Sequence, residues 1–139
     1  MSIQSDVKPI TISDEVAAST SFIAAAARPD TAFTLANTSF ASGGARLLQV
    51  TTAGTGDNGK TVTVVGTDTH GNSLTEVITS TGSAESVAGT KYFLTVSSAT
   101  CSAQYAANVS VGMTTGAAQA IFAGRVRLKS TSIVSAGTA

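Results

Sequence analysis

Hydrophobic and polar residues alternate along much of the chain with the two-residue period of a β-strand. In residues 60–67, KTVTVVGT, Val62 and Val64 share one face, and Thr61, Thr63 and Val65 share the other. Residues 73–80, SLTEVITS, read as the return strand, with Glu76 placed on the solvent face. Between them, DTHGN at 68–72 predicts a tight hairpin. Gly71 can take positive φ there, and Asp68 can accept hydrogen bonds from the turn backbone. Four more segments carry strand patterns. Residues 45–52 read ARLLQVTT; residues 90–97 set Tyr92, Leu94 and Val96 on one face; residues 107–114 do the same with Val109, Val111 and Met113. Residues 121–130 set Val126 and Leu128 against Arg125, Arg127 and Lys129. A shorter alternation at 31–35 pairs Phe33 with Leu35, and glycine- and serine-rich stretches at 40–44 and 81–89 read as loops. About six or seven strands separated by turn signals predict an all-β chain, an antiparallel β-sandwich or barrel.

The first thirty residues are less regular. Ser13 could cap a helix, with Asp14 and Glu15 near its positive end and the alanines at 24–27 as good helix formers before Pro29. The Ser-Thr-Ser at 19–21 opposes that reading. Residues 1–30 are therefore expected to form an N-terminal arm, either extended or one short helix. Residues 31–139 form a single β domain, a size suited to one core.

Composition adds that this core is thin. Hydrophobic residues make up 42% of the chain, but aromatics only 5%, and Trp is absent. Much of the apolar mass is Ala and Val, which bury little area per residue. Charged residues are 12% of the chain, and eight cations balance eight anions. Such a chain has no overall electrostatic pull on nucleic acid or an anionic membrane. Low charge also weakens the repulsion that keeps copies apart. No apolar run is long enough to span a bilayer, and MSIQSDVKPIT lacks the basic-then-apolar order of a signal peptide.

One motif suggests chemistry. GTGDNGKT at 54–61 fits the phosphate-loop pattern G-x-x-x-x-G-K-[ST]. A phosphate loop must open directly into a helix, whose free N–H groups hold the phosphates. Here five of the six residues from Thr61 to Gly66 are β-branched and alternate, which predicts a strand. The motif reads as a polar turn, and no nucleotide cofactor is expected. His70, the only histidine, falls in the predicted hairpin turn. Asp57, Asn58, Asp68 and Asn72 could offer oxygens to calcium only if two turns met, and they lack the carboxylate spacing of a calcium loop. The single Cys101 reads as a small buried side chain. No catalytic residue and no metal site is expected. Arg125, Arg127 and Lys129 place three of the eight cations in five residues. This strip is the candidate partner-binding site, where it could grip an acidic surface. Alternatively, it is a charged outer strand face that discourages sticky edges.

The run TVTVVGTDTHGNSLTEVITS, followed by TKYFLTVSSAT and ANVSVGMTTG, resembles a family of virion proteins from tailed bacteriophages. The resemblance rests on Gly66-Thr67-Asp68 with Gly71-Asn72, on Glu76 with Ile78-Thr79, on Lys91 with Phe93 and Thr95-Val96, and on residues 108–112. FTLANTSFASGGARLLQVTTAGTGDNGK is similar to the family's upstream segment, so about residues 31–116 are covered. The resemblance implies a non-enzymatic structural virion protein. The leading role is a capsid decoration or cement protein that bridges major capsid subunits on the capsid surface and is assembled in the host cytoplasm. A small homo-oligomer such as a trimer is expected. The alternatives are a tail tube, head–tail joint or fibre-base component, or an Ig-like module that binds a receptor or glycan through exposed aromatics, for which Tyr92 and Tyr105 are the candidates.

Overall fold

The computed structural model describes residues 17–40 and 44–118. It is all-β, with seven strands: β1 (Ser19–Ala27), β2 (Ala45–Thr52), β3 (Thr61–Thr67), β4 (Ser73–Thr79), β5 (Ser86–Phe93), β6 (Thr95–Cys101) and β7 (Val109–Ala118). They form two sheets of order β1-β7-β2-β5 and β4-β3-β6, with every pairing antiparallel. Two sheets with apolar inner faces and polar outer faces make a β-sandwich.

The inner faces follow from the alternation. Leu48 and Val50 of β2 and Val109, Val111 and Met113 of β7 point inward from the larger sheet, each at most 1% exposed. Val62 and Val64 of β3, Ile78 of β4 and Val96 of β6 meet them from the smaller one. Phe33, Phe40, Phe93 and Tyr105 fill the gaps that these branched side chains leave. The β3–β4 hairpin forms as its turn chemistry predicts. Gly71 has φ 82°, and Asp68 Oδ1 accepts the N–H of His70 at 2.8 Å and of Asn72 at 2.9 Å.

Three regions add to or depart from the sequence expectation. Within the expected arm the extended alternative holds, and residues 19–27 form β1, an edge strand of the larger sheet. Alanine's helix propensity is only a few tenths of a kcal/mol per residue better than its neighbours', about the size of a single strand contact. Pairing with β7 and burial of Ile23 and Ala24 at 0% exposure outweigh it. Residues 31–35 are not a regular strand. The segment runs along the outer edge of β6 through isolated bridges from Ala32 to Thr100 and from Ser39 to Thr95, which still buries Phe33.

The third difference is the largest. One strand is expected at 90–97, preceded by a loop; instead, β5 and β6 run nearly continuously from 86 to 101 and change sheets at Leu94. The bend breaks the two-residue period. Phe93 is fully buried and Tyr92 is 37% exposed, so the expected Tyr92–Leu94–Val96 face does not exist. Gly66 permits the bend. A Cβ there would collide with the carbonyl oxygen of Thr95 and lie 2.8 Å from its carbon. With no side chain in the way, Leu94 N–H donates to Thr67 O at 2.7 Å.

Candidate functional site

The 54–61 loop is the natural place to look for a site, and several of its donors are already committed. Thr61 begins β3, so no helix follows the motif. The N–H of Gly59 donates to Ser80 O at 3.0 Å, that of Lys60 to Asp57 O at 3.2 Å, and that of Thr61 to Ser102 Oγ at 3.0 Å. The Lys60 ammonium donates to Asp57 Oδ1 at 2.8 Å and to Gln104 O at 2.6 Å. A phosphate would have to displace these bonds to reach the amides of residues 59–61 or the lysine.

Asp57 is instead the hub of a buried corner. Its side chain is 0% exposed, and it accepts N–H bonds from Ala106 at 2.7 Å and Ala107 at 3.4 Å besides the bond from Lys60. Burial pushes its pKa up, but these hydrogen bonds and the lysine charge outweigh burial and hold it below the usual carboxylate value. Beside it, the fully buried Tyr105 shares a 2.9 Å hydrogen bond with Ser80 Oγ, and its ring lies 5.6 Å from the Lys60 ammonium. Burial raises the Tyr105 pKa despite the Ser80 bond. Cys101, half-buried at the end of β6, is pushed up to about 11 by the same desolvation. A thiol held so far from its thiolate is a poor nucleophile at neutral pH. The cluster is a structural knot that joins the 54–60 loop to the 102–108 loop.

Glu76 was expected in solvent and is 7% exposed. Its Oε1 accepts the N–H and the hydroxyl of Thr90, at 2.6 and 3.0 Å, and the N–H of Lys91 at 3.3 Å. These donors sit where β5 bulges away from β2 between Leu47 and Gln49. Glu76 on β4 thus clasps the two sheets along one side. Strand alternation alone carries no sign of this, because the partner is an irregular backbone fourteen residues later on the other sheet.

The remaining sequence candidates do not assemble. Asp57 and Asp68 lie beyond opposite ends of β3, about 20 Å apart by strand length; Asp68 is bound up in its own hairpin turn. Among the described residues no group of three His, Cys, Asp or Glu side chains converges as metal ligands would. His70 is exposed in the turn, with Nδ1 3.2 Å from Thr69 Oγ1. Of the two tyrosines, Tyr105 is buried and only Tyr92 reaches solvent. Arg125, Arg127 and Lys129 lie outside the described residues.

What the sandwich does offer is a pair of outer faces. That of the larger sheet is partly covered by its own chain. Gln49 Nε2 donates to Met113 O at 3.1 Å and to Ser19 O at 3.3 Å, and Ser110 Oγ donates to Thr20 O at 2.7 Å, so the start of β1 lies across it. The outer face of the smaller sheet has eleven positions across β4, β3 and β6, filled by seven Thr, two Ser and two Val. Comparisons with protein-family models, curated proteins and solved structures returned no match.

Proposed function

We propose that the chain is a non-enzymatic structural protein of a tailed-phage virion, a decoration or cement protein that binds the assembled shell and bridges major capsid subunits. The observation that carries this reading is the order of β-segments in the sequence that resembles such virion proteins, from the GTDTHGN hairpin through TKYFLTVSSAT to ANVSVGMTTG. Physical chemistry supports it. Asp57, Lys60 and the amides of residues 59–61 in the motif are spent on the fold itself, and an Ala- and Val-rich core gains from area buried against neighbours. The outer faces offer hydroxyl and methyl groups, which suit packing better than catalysis.

The test is electron microscopy of shells assembled from the major capsid protein of the same genome, with and without the purified chain. Added density at regular positions on the shell is the expected result. Bare shells together with long polymers of the purified chain alone would move it to the tail. The cationic strip enters the same assay: replacing Arg125, Arg127 and Lys129 together by Ser should weaken shell attachment while leaving folding intact. Unchanged attachment would return the strip to the role of a solvated strand face.

A further inference from the structure

We infer that the outer face of the β4-β3-β6 sheet is a self-association surface, and that its occupant is the same face of a second copy of this chain. This stands independently of the virion reading.

The first observation is the chemistry of the face. Thr61, Thr63, Val65 and Thr67 form its central row, and every registered partner on β4 and β6 is Thr, Ser or Val. The nine charged residues among those described all lie elsewhere. Exposed sheet faces are where Lys and Glu usually keep copies apart. A hydroxyl can both donate and accept. A face of threonines is therefore complementary to itself in hydrogen bonding, and with no charges it meets no repulsion in its own copy. A face of lysines or glutamates would fit only an opposite surface. The β4 row is also sticky: Val77, in register with Thr63, is 55% exposed.

The second observation is that edge pairing has little room. The outer edge of β6 is taken by the 31–39 segment, through Phe33 N–H to Ala99 O at 2.9 Å and Val96 N–H to Thr38 O at 2.8 Å. The edge of β1 is capped where Ala36 N–H donates to Ile23 O at 2.8 Å. On β4, Lys91 reaches across to Thr75 O at 2.7 Å, and Glu76 is the inward charge that discourages strand addition. Three of the four sheet edges are thus obstructed, β5 being the fourth, which favours contact through faces.

The size of the face sets the strength. Three strands about 4.8 Å apart and seven residues long cover a plane of roughly 14 by 23 Å. That is well below the ~800 Å² per partner of a standard stable interface. The pair is therefore weak and concentration-dependent. A self-complementary face closes as a two-fold pair, in place of the trimer implied by the resemblance.

Sedimentation velocity tests this from about 10 μM to about 1 mM, the range in which contacts of this size dissociate. The parent should shift from monomer to dimer across it, and the shift should persist when salt rises to about 1 M, because no charges are screened. Val77→Lys should raise the dissociation constant at least tenfold with an unchanged melting temperature, and Val77→Thr should pair like the parent. A parent that stays monomeric throughout overturns the inference and leaves the face to another kind of partner. A Val77→Lys protein that pairs as well as the parent overturns it too, by placing the contact elsewhere, and so does pairing that high salt abolishes.

Discussion

Replacing Gly66 by alanine adds one methyl group, and the geometry states what that methyl must displace. It would collide with the carbonyl oxygen of Thr95, lie 2.8 Å from Thr95 C and lie 3.1 Å from Phe93 Cδ1. Two of these three are backbone atoms, so no rotamer change relieves the clash. Either β6 must move off β3 by more than an ångström, or β3 must twist. Both movements strain the 2.7 Å bond from Leu94 N–H to Thr67 O and the 2.7 Å bond between the Thr67 and Thr95 hydroxyls. Overpacking a rigid core costs about 1–3 kcal/mol, and weakening two hydrogen bonds adds about 1 kcal/mol each. The expected loss is about 3–5 kcal/mol, or roughly 10–20 °C in Tm for a domain of this size.

Gly71→Ala is the internal control. Gly71 has φ 82° with nothing within 4 Å of its added Cβ. Only left-handed strain remains, about 1 kcal/mol. Urea unfolding followed by circular dichroism separates the two substitutions. If Gly66→Ala costs no more than Gly71→Ala, the close approach of Thr95 to β3 does not exist, and the sheet change at Leu94 is built some other way.

Glu76→Ala leaves the Thr90 and Lys91 amides without their buried acceptor and should cost about 2–3 kcal/mol in urea unfolding, whereas the solvent-face reading predicts a change within about 0.5 kcal/mol. Asp57 has a folded pKa below its ordinary 3.8, so its contribution is complete above that value and is lost as pH falls through the folded pKa. Asp57→Asn should therefore be less stable than the parent at pH 7, with a gap that narrows below pH 3.8; a gap that stays constant with pH would show that Asp57 gains nothing from being ionised. Cys101, with its pKa raised from 9.0 to about 11, should react with iodoacetamide at pH 8 roughly a hundredfold more slowly in the folded protein than in urea, from the thiolate fractions alone. Equal rates would place the thiol in water.

Much of the fold is legible in the alternation. Strands β2, β3, β4 and β7 lie within four residues of their predicted ends, because the inner face of each keeps Val, Leu, Ile or Met at two- or four-residue spacing. The Asp68–Asn72 turn is legible for a different reason: its hydrogen bonds are local. The same logic separates the 54–61 motif from a phosphate loop, since β-branched residues after Lys60 disfavour a helix whatever precedes them. What the alternation missed or left open shares a cause. The period at 86–101 is broken by a contact between Gly66 and Thr95, the alanines of β1 are recruited by β7 about eighty-five residues away, and the burial of Glu76 depends on amides across the sandwich. Each is a long-range contact that leaves only a weak trace in its own segment. An isolated glycine inside the β-branched run of β3 was the one clue to the sheet change.

These long-range contacts also account for where the charge is. Of the nine charged residues among those described, Arg46, Asp57 and Glu76 are buried, Lys60 is paired with Asp57, and Asp68 is folded into a turn. Burying a charge is tolerated only where hydrogen bonds replace water, and Asp57 and Glu76 each have three or more. Among the described residues, that leaves Arg28, Asp30, Glu85 and Lys91, none of them at an outer-face position of the smaller sheet. The uncharged face of the smaller sheet is therefore more than a shortage in composition. The chain puts Glu76 inward on β4, between outward-facing Thr75 and Val77, although a charge one residue earlier or later would have solvated that face. Placing charge on the face should therefore change association before it changes stability, whereas removing charge from Asp57 or Glu76 should do the reverse.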